Sequence, residues 1–213
     1  MLALPLFLSA MVVVAARVVA HPPHPRFGPA NTVTSLRLAL VAVLAAVIGE
    51  PHTVALAWTA TALAAVASAL DGVDGWLARR SSLHSAFGAR FDMETDALLI
   101  MVLSALAWRW DRAGAWVLAC GLMRYGFVAA AWGWPWLARP LPPSLRRKVV
   151  AVVQMVGLSI IVAPVVQPPL SEALAAATLA TLVWSFAVDV RWLAVRRSDA
   201  PTRRARGAAG ANE

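Results

Sequence analysis

Seven long apolar stretches, at residues 2–20, 33–48, 53–70, 86–108, 113–132, 149–166 and 170–188, occupy most of this 213-residue chain. A bilayer core is about 30 Å thick and takes roughly 20 residues of helix to cross, so these stretches are span-sized. Inside lipid every backbone N–H and C=O must find a partner within the protein, which leaves helices or a closed barrel. No strand-like alternation competes with the continuous runs. The sequence therefore reads as an all-α integral membrane protein, a bundle of six transmembrane helices plus an N-terminal hydrophobic helix. Only 14% of residues are charged, against about 25% in soluble domains, so little chain is left for a soluble domain. The expected division is residues 1–30 as the N-terminal hydrophobic helix and cytosolic linker, 31–197 as one membrane domain, and 198–213 as a disordered basic tail. The first stretch resembles a signal sequence in length, but it lacks a basic start and carries Arg17 at its far end, so a retained helix is expected.

The net charge of +8 is distributed as membrane topology would place it. Arg17 and Arg26 precede the first core span, and Arg79 and Arg80 follow the second. Arg139, Arg146, Arg147 and Lys148 follow the fourth; Arg191, Arg196, Arg197, Arg203, Arg204 and Arg206 follow the sixth. The opposite connections hold only Glu50, Arg109, Asp111, Arg112 and Glu172. The positive-inside rule puts the basic set in the cytosol with the C-terminus, as in a multi-pass protein of a bacterial inner membrane, with no role for nucleic acid. Trp108, Trp110 and Trp116 are expected at one membrane interface, and Trp132, Trp134, Trp136 and Trp192 at the other. Cys120, the one cysteine, is expected in the core and rules out an internal disulfide. His21, His24, His52 and His84 lack metal-ligand spacing and read as loop or interfacial residues.

Within this apolar chain, residues 71–96 read DGVDGWLARRSSLHSAFGARFDMETD. The apolar part that follows, 97–108, covers only about 18 Å as a helix. The helix must start earlier and carry Asp92 and Asp96 into the membrane, where an unpaired aspartate costs roughly 2.5–3.5 kcal/mol at mid-bilayer. Metal ions or arginines would remove that cost. Asp71 and Asp74 are three apart on one helix, and Asp92 and Asp96 are four apart on the next, so each pair shares a helix face. A short connection near residues 80–85 makes the two helices antiparallel neighbours. Four convergent carboxylates supply the hard oxygen ligands that Mg²⁺ prefers, enough for two ions. Gly75 and Gly88 each cost about 1 kcal/mol relative to alanine in a helix, and are expected where a phosphate or a facing helix comes close.

Together, Asp71, Asp74, Gly75, Ala78, Arg79, Gly88, Asp92 and Asp96 resemble the CDP-alcohol phosphatidyltransferase signature, D-x2-D-G-x2-A-R-x8-G-x3-D-x3-D, with every fixed position and gap kept. Chance agreement at eight positions is on the order of one in a billion per starting point. Asn31, Thr34 and Arg37, the pair Arg124–Tyr125, and Lys148 with Gln154 and Met155 are similar to further family segments. Phosphatidylglycerophosphate synthases commonly read Lys-x-Lys-Thr-x2-Gln-Met there, whereas this chain has Val150 and Ala151 in place of the second lysine and the threonine.

The resemblance implies a six-helix membrane fold, usually a homodimer. It implies an enzyme of phospholipid biosynthesis that displaces CMP from a CDP-alcohol such as CDP-diacylglycerol with the hydroxyl of a second alcohol. It also implies two Mg²⁺ or Mn²⁺ ions on Asp71, Asp74, Asp92 and Asp96, with Asp96 the general base. Gly75, Ala78, Arg79, Gly88 and Thr34 would face the nucleotide and pyrophosphate. Arg37, Arg124, Arg146, Arg147 and Lys148 are the candidates for an acceptor's phosphate. Arg124 lies within a span and needs a partner, while Glu94, about 200° around the helix from Asp92, stands outside the metal site. Abundant basic residues favour a small polyol phosphate such as glycerol 3-phosphate as acceptor, with phosphatidylglycerol, inositol, inositol phosphate or serine as alternatives. Intramembrane acids also occur in cation-coupled transporters, but these carboxylates crowd one end and no paired broken helices are present.

Overall fold

A computed structural model describes residues 29–80 and 86–196, and the side chains of 29–31, 74–80, 86 and 87 lie outside the described residues. So do the expected N-terminal helix, the basic tail, and His21, His24 and His84. The described residues are helical with no strand. In chain order they form α1 (Pro29–Val47), α2 (Val54–Arg80), α3 (Ala86–Arg109), α4 (Leu118–Gly133), α5 (Leu145–Val162) and α6 (Leu170–Val195), with single 3₁₀ turns at Ala115–Val117 and Pro135–Ala138.

Among the described residues three stretches are long and apolar enough to cross a membrane: Val54–Val73, Ala115–Gly133 and Leu170–Val195; Thr32–Val47 is a shorter apolar helix. The other two helices carry charge where they begin. α3 has Arg90, Asp92, Glu94 and Asp96 in its first half, and α5 has Arg146, Arg147 and Lys148 in its first turn. The apolar runs also mark helix ends loosely. α2 continues ten residues past its run, through the first half of the aspartate motif, and α3 starts at Ala86, as the length argument requires.

α1 buries Thr34, Arg37, Val41, Leu44 and Ala45, one stripe at helical spacing. It meets a stripe of alanines on α2, namely Ala57, Ala60, Ala64 and Ala67, each with no exposed surface. Side chains this small let two helices approach closely without a hydrophobic force between them, which lipid would not supply. Thr53 opens α2 by accepting a hydrogen bond from the Leu56 N–H at 3.1 Å. α3 is the central helix: it packs against α1, α4 and α5, and Leu99, Val102, Leu103 and Leu106 are wholly buried. At Gly121 a Cβ would lie 2.6 Å from the Met101 Cα, so glycine is what permits the contact of α4 with α3.

α3 ends in a Schellman cap. Asp111 has φ 54°, the Arg112 N–H donates to the Ala107 carbonyl at 2.8 Å, and the Asp111 N–H to the Trp108 carbonyl at 3.2 Å. The turn carries Trp110 inward, which corrects the expectation of an interfacial belt position. Trp110 is buried, with its ring 5.1 Å from that of His52 in an edge-on arrangement. Trp108, Trp116, Trp132 and Trp134 are exposed, and Cys120 is buried as expected. Gln154 donates to the Thr178 carbonyl at 2.5 Å and ties α5 to α6.

Candidate active site

Three helices converge on one charged point. α2 brings Asp71, α3 brings Asp92 and Asp96 on one face, and their carboxylate oxygens lie within 4.8 Å of one another. These three side chains are partly exposed, at 25%, 40% and 23%. From α1, the wholly buried side chain of Arg37 reaches all three. Nη1 is 3.0 Å from the Asp71 Oδ1 and 2.6 Å from the Asp92 Oδ1, and Nη2 donates to the Asp96 Oδ1. Its Nε donates to the Ala67 carbonyl at 3.2 Å, which fixes the plane of the guanidinium against α2.

The expectation that Asp71, Asp92 and Asp96 share one point is met, and Arg37 supplies the arginine that could offset their charge. Three carboxylates against one guanidinium still leave two negative charges. Hard oxygen donors with that excess fit a divalent ion such as Mg²⁺ or Mn²⁺. Asp74, Gly75, Ala78 and Arg79 lie on the last turns of α2, and their side chains are outside the described residues. Gly88 is half-buried on the first turn of α3. Thr34 is buried one turn before Arg37 on the same face of α1.

The other basic candidates have separate partners. Arg124 on α4 donates to the Glu94 Oε1 at 2.5 Å and to the Met93 Sδ at 3.0 Å, on a face of α3 turned away from the aspartates. An arginine within a span thus finds the partner that lipid demands. Arg146 on α5 donates to the Asp189 Oδ1 at 2.5 Å and to the Ser185 Oγ at 2.7 Å, both on α6. Arg147 reaches the same Asp189 oxygen at 3.2 Å and also donates to the Pro142 carbonyl. Lys148 is exposed. Val150, where the related pattern has a second lysine, is buried at 6%, so a charge there would have no water.

Spacing along the sequence does not reveal Asp189 or Arg37 as ion-pair partners. Asp189 sits just past the end of its apolar run, and an acid at that place facing two arginines was the available signal. Arg37 interrupts an apolar run as Arg124 does, and the same demand for a partner applied to it. At the far end of the bundle Arg112 is buried, with Nη2 3.3 Å from the His52 Nε2 and its backbone carbonyl accepting from the Ser171 Oγ at 2.6 Å. Burial lowers its pKa from the usual arginine value. That contact secures the connections opposite the carboxylates.

A family model described as CDP-alcohol phosphatidyltransferase matches residues 27–184, which is most of the chain and every helix that carries the carboxylate cluster. No curated protein and no solved structure matches it.

Proposed function

This chain belongs to the CDP-alcohol phosphatidyltransferase family, and from that membership we propose that it transfers the phosphatidyl group of CDP-diacylglycerol to the hydroxyl of glycerol 3-phosphate, with release of CMP. Enzymes of the family move a substituted phosphate from a CDP-alcohol to an alcohol acceptor and generally use divalent metal ions. The observation that carries the reading is the meeting of Asp71, Asp92 and Asp96 within 4.8 Å, at the spacing of the family signature.

Asp71, Asp74 and Asp92 are the main metal ligands in this reading, and Asp96 lies close enough to ligate as well. Two Mg²⁺ or Mn²⁺ ions bound there would stabilise the charge that gathers on the pyrophosphate. Asp96 takes the proton of the acceptor hydroxyl as its oxygen attacks the lipid-side phosphorus, and the bond from that phosphorus to the CMP oxygen breaks. Gly75, Ala78 and Gly88 leave room for the nucleotide, Arg79 pairs with its phosphate, and Thr34 is a weaker candidate for a nucleotide contact. For the acceptor phosphate, exposed Lys148 and the more loosely held Arg147 are better placed than Arg37, whose donors face the carboxylates. Arg124 and Arg146 would have to share themselves with Glu94 and Asp189.

Six crossings fit the helix lengths: the 18-residue α5 spans about 27 Å at 1.5 Å per residue, close to the thickness of a bilayer core. The shorter, 16-residue α4 is extended by its preceding 3₁₀ turn to the 19-residue stretch Ala115–Gly133. The basic connections then put the aspartates on the cytosolic side, where CDP-lipid would be supplied. A reporter fused after Glu213 is expected to give a cytosolic signal, and a signal from the opposite side would overturn this orientation. Labelled CDP-diacylglycerol offered in turn with glycerol 3-phosphate, inositol phosphate, inositol, serine and phosphatidylglycerol tests the acceptor. The expected labelled product appears with glycerol 3-phosphate, and turnover confined to an unphosphorylated acceptor would refute that choice.

A further inference from the structure

Arg37 is the one wholly buried charged side chain among the described residues, and it stands where a divalent ion would be most strongly attracted. Its guanidinium contacts Asp71 on α2 and Asp92 and Asp96 on α3, and the Nε bond to the Ala67 carbonyl holds it there. A group without exposed surface has nothing to offer a soluble acceptor, and a lysine-like role at the membrane surface is closed to it. Without Arg37, three carboxylates within 4.8 Å would repel one another in a setting where water screens poorly.

We propose that Arg37 is a built-in counter-cation of the carboxylate site: it holds the three aspartates together when no divalent ion is bound, and it competes with that ion for them. The proposal rests on the reading that these carboxylates take up a divalent ion. Two consequences follow from charge alone. The fold around α1, α2 and α3 does not depend on metal, because the guanidinium already offsets part of the negative charge. The hold on a metal ion is weaker than three carboxylates would otherwise give, because the ion must bind beside a fixed positive charge. A site of this kind suits an ion that arrives with, or is completed by, the oxygens of a pyrophosphate.

The test compares wild type, Arg37→Gln and Arg37→Lys, purified in detergent, by two readouts that need no turnover. Manganese binding is measured from the loss of the free Mn²⁺ electron paramagnetic resonance signal, and thermal unfolding is followed with chelator and with Mn²⁺. Arg37→Gln is expected to bind Mn²⁺ at least tenfold more tightly than wild type. Its unfolding midpoint should fall in chelator and recover with Mn²⁺, while wild type shifts much less. Arg37→Lys, which keeps the charge though not the forked contacts, should bind Mn²⁺ less tightly than Arg37→Gln, because a fixed positive charge still stands beside the ion. Should Arg37→Gln fail to fold in chelator, millimolar Mn²⁺ during purification is expected to rescue it, and failure of that rescue overturns the proposal. Wild type that binds Mn²⁺ while Arg37→Gln binds it no more tightly overturns the counter-cation role alone. Wild type and variants that all fail to bind Mn²⁺ overturn the metal site and the proposal together.

Discussion

Asp96→Asn protein is expected to release CMP from CDP-diacylglycerol at no more than about one-hundredth of the wild-type rate, and Asp92→Asn to fall at least as far. The first figure is the lower end of what a positioned general base contributes, about 10² to 10⁴. Asparagine keeps the shape of aspartate and can still accept a hydrogen bond from Arg37, so α1, α2 and α3 stay packed while the charge and the basic oxygen are lost. Asp92 is the most exposed of the three, at 40%, and so the one most open to an incoming ion or substrate. Thermal unfolding of each variant beside its CMP release separates lost chemistry from lost fold. A variant with wild-type stability and wild-type CMP release would remove that residue from the mechanism.

Chelation should have an effect as large. With divalent ions stripped by EDTA, CMP release is expected to drop by more than about a hundredfold, the scale of removing one strong electrostatic stabiliser of a transition state. Mg²⁺ or Mn²⁺ should restore it, and Ca²⁺ should do so poorly, because its oxygen ligands sit at about 2.3–2.6 Å rather than the 2.0–2.1 Å of Mg²⁺. Arg37 sharpens this expectation, since a protein whose aspartates are already held by a guanidinium should stay folded in chelator. Activity and stability should therefore separate: the first lost, the second kept. Activity that persists in excess chelator would show that the carboxylates work without metal.

The site was more legible than the interior that supports it. Fixed spacing placed Asp71, Asp92 and Asp96 on matching helix faces, and the shortness of the apolar segment 97–108 forced α3 to begin before Asp92; both are local properties of a helix. The partners of the arginines are different in kind. Arg37 and Asp96 are 59 residues apart, Arg124 and Glu94 are 30 apart, and Arg146 and Asp189 are 43 apart. No periodicity within one helix records such pairs. The sequence does record that a charge inside an apolar run needs an opposite charge, and that rule found the need at Arg124 without naming Glu94. The burial of Trp110 was equally hidden, because it depends on the left-handed turn at Asp111 that ends α3. Composition also overstated the likeness of the six helices, since charges near the starts of α3 and α5 lower their apolar character.

The most direct measurement is CMP release by the purified protein given CDP-diacylglycerol, Mg²⁺ and glycerol 3-phosphate together. The account predicts release that needs all three components and yields one labelled phospholipid per CMP. Folded protein that binds Mn²⁺ yet releases no CMP with any acceptor of the panel would contradict it.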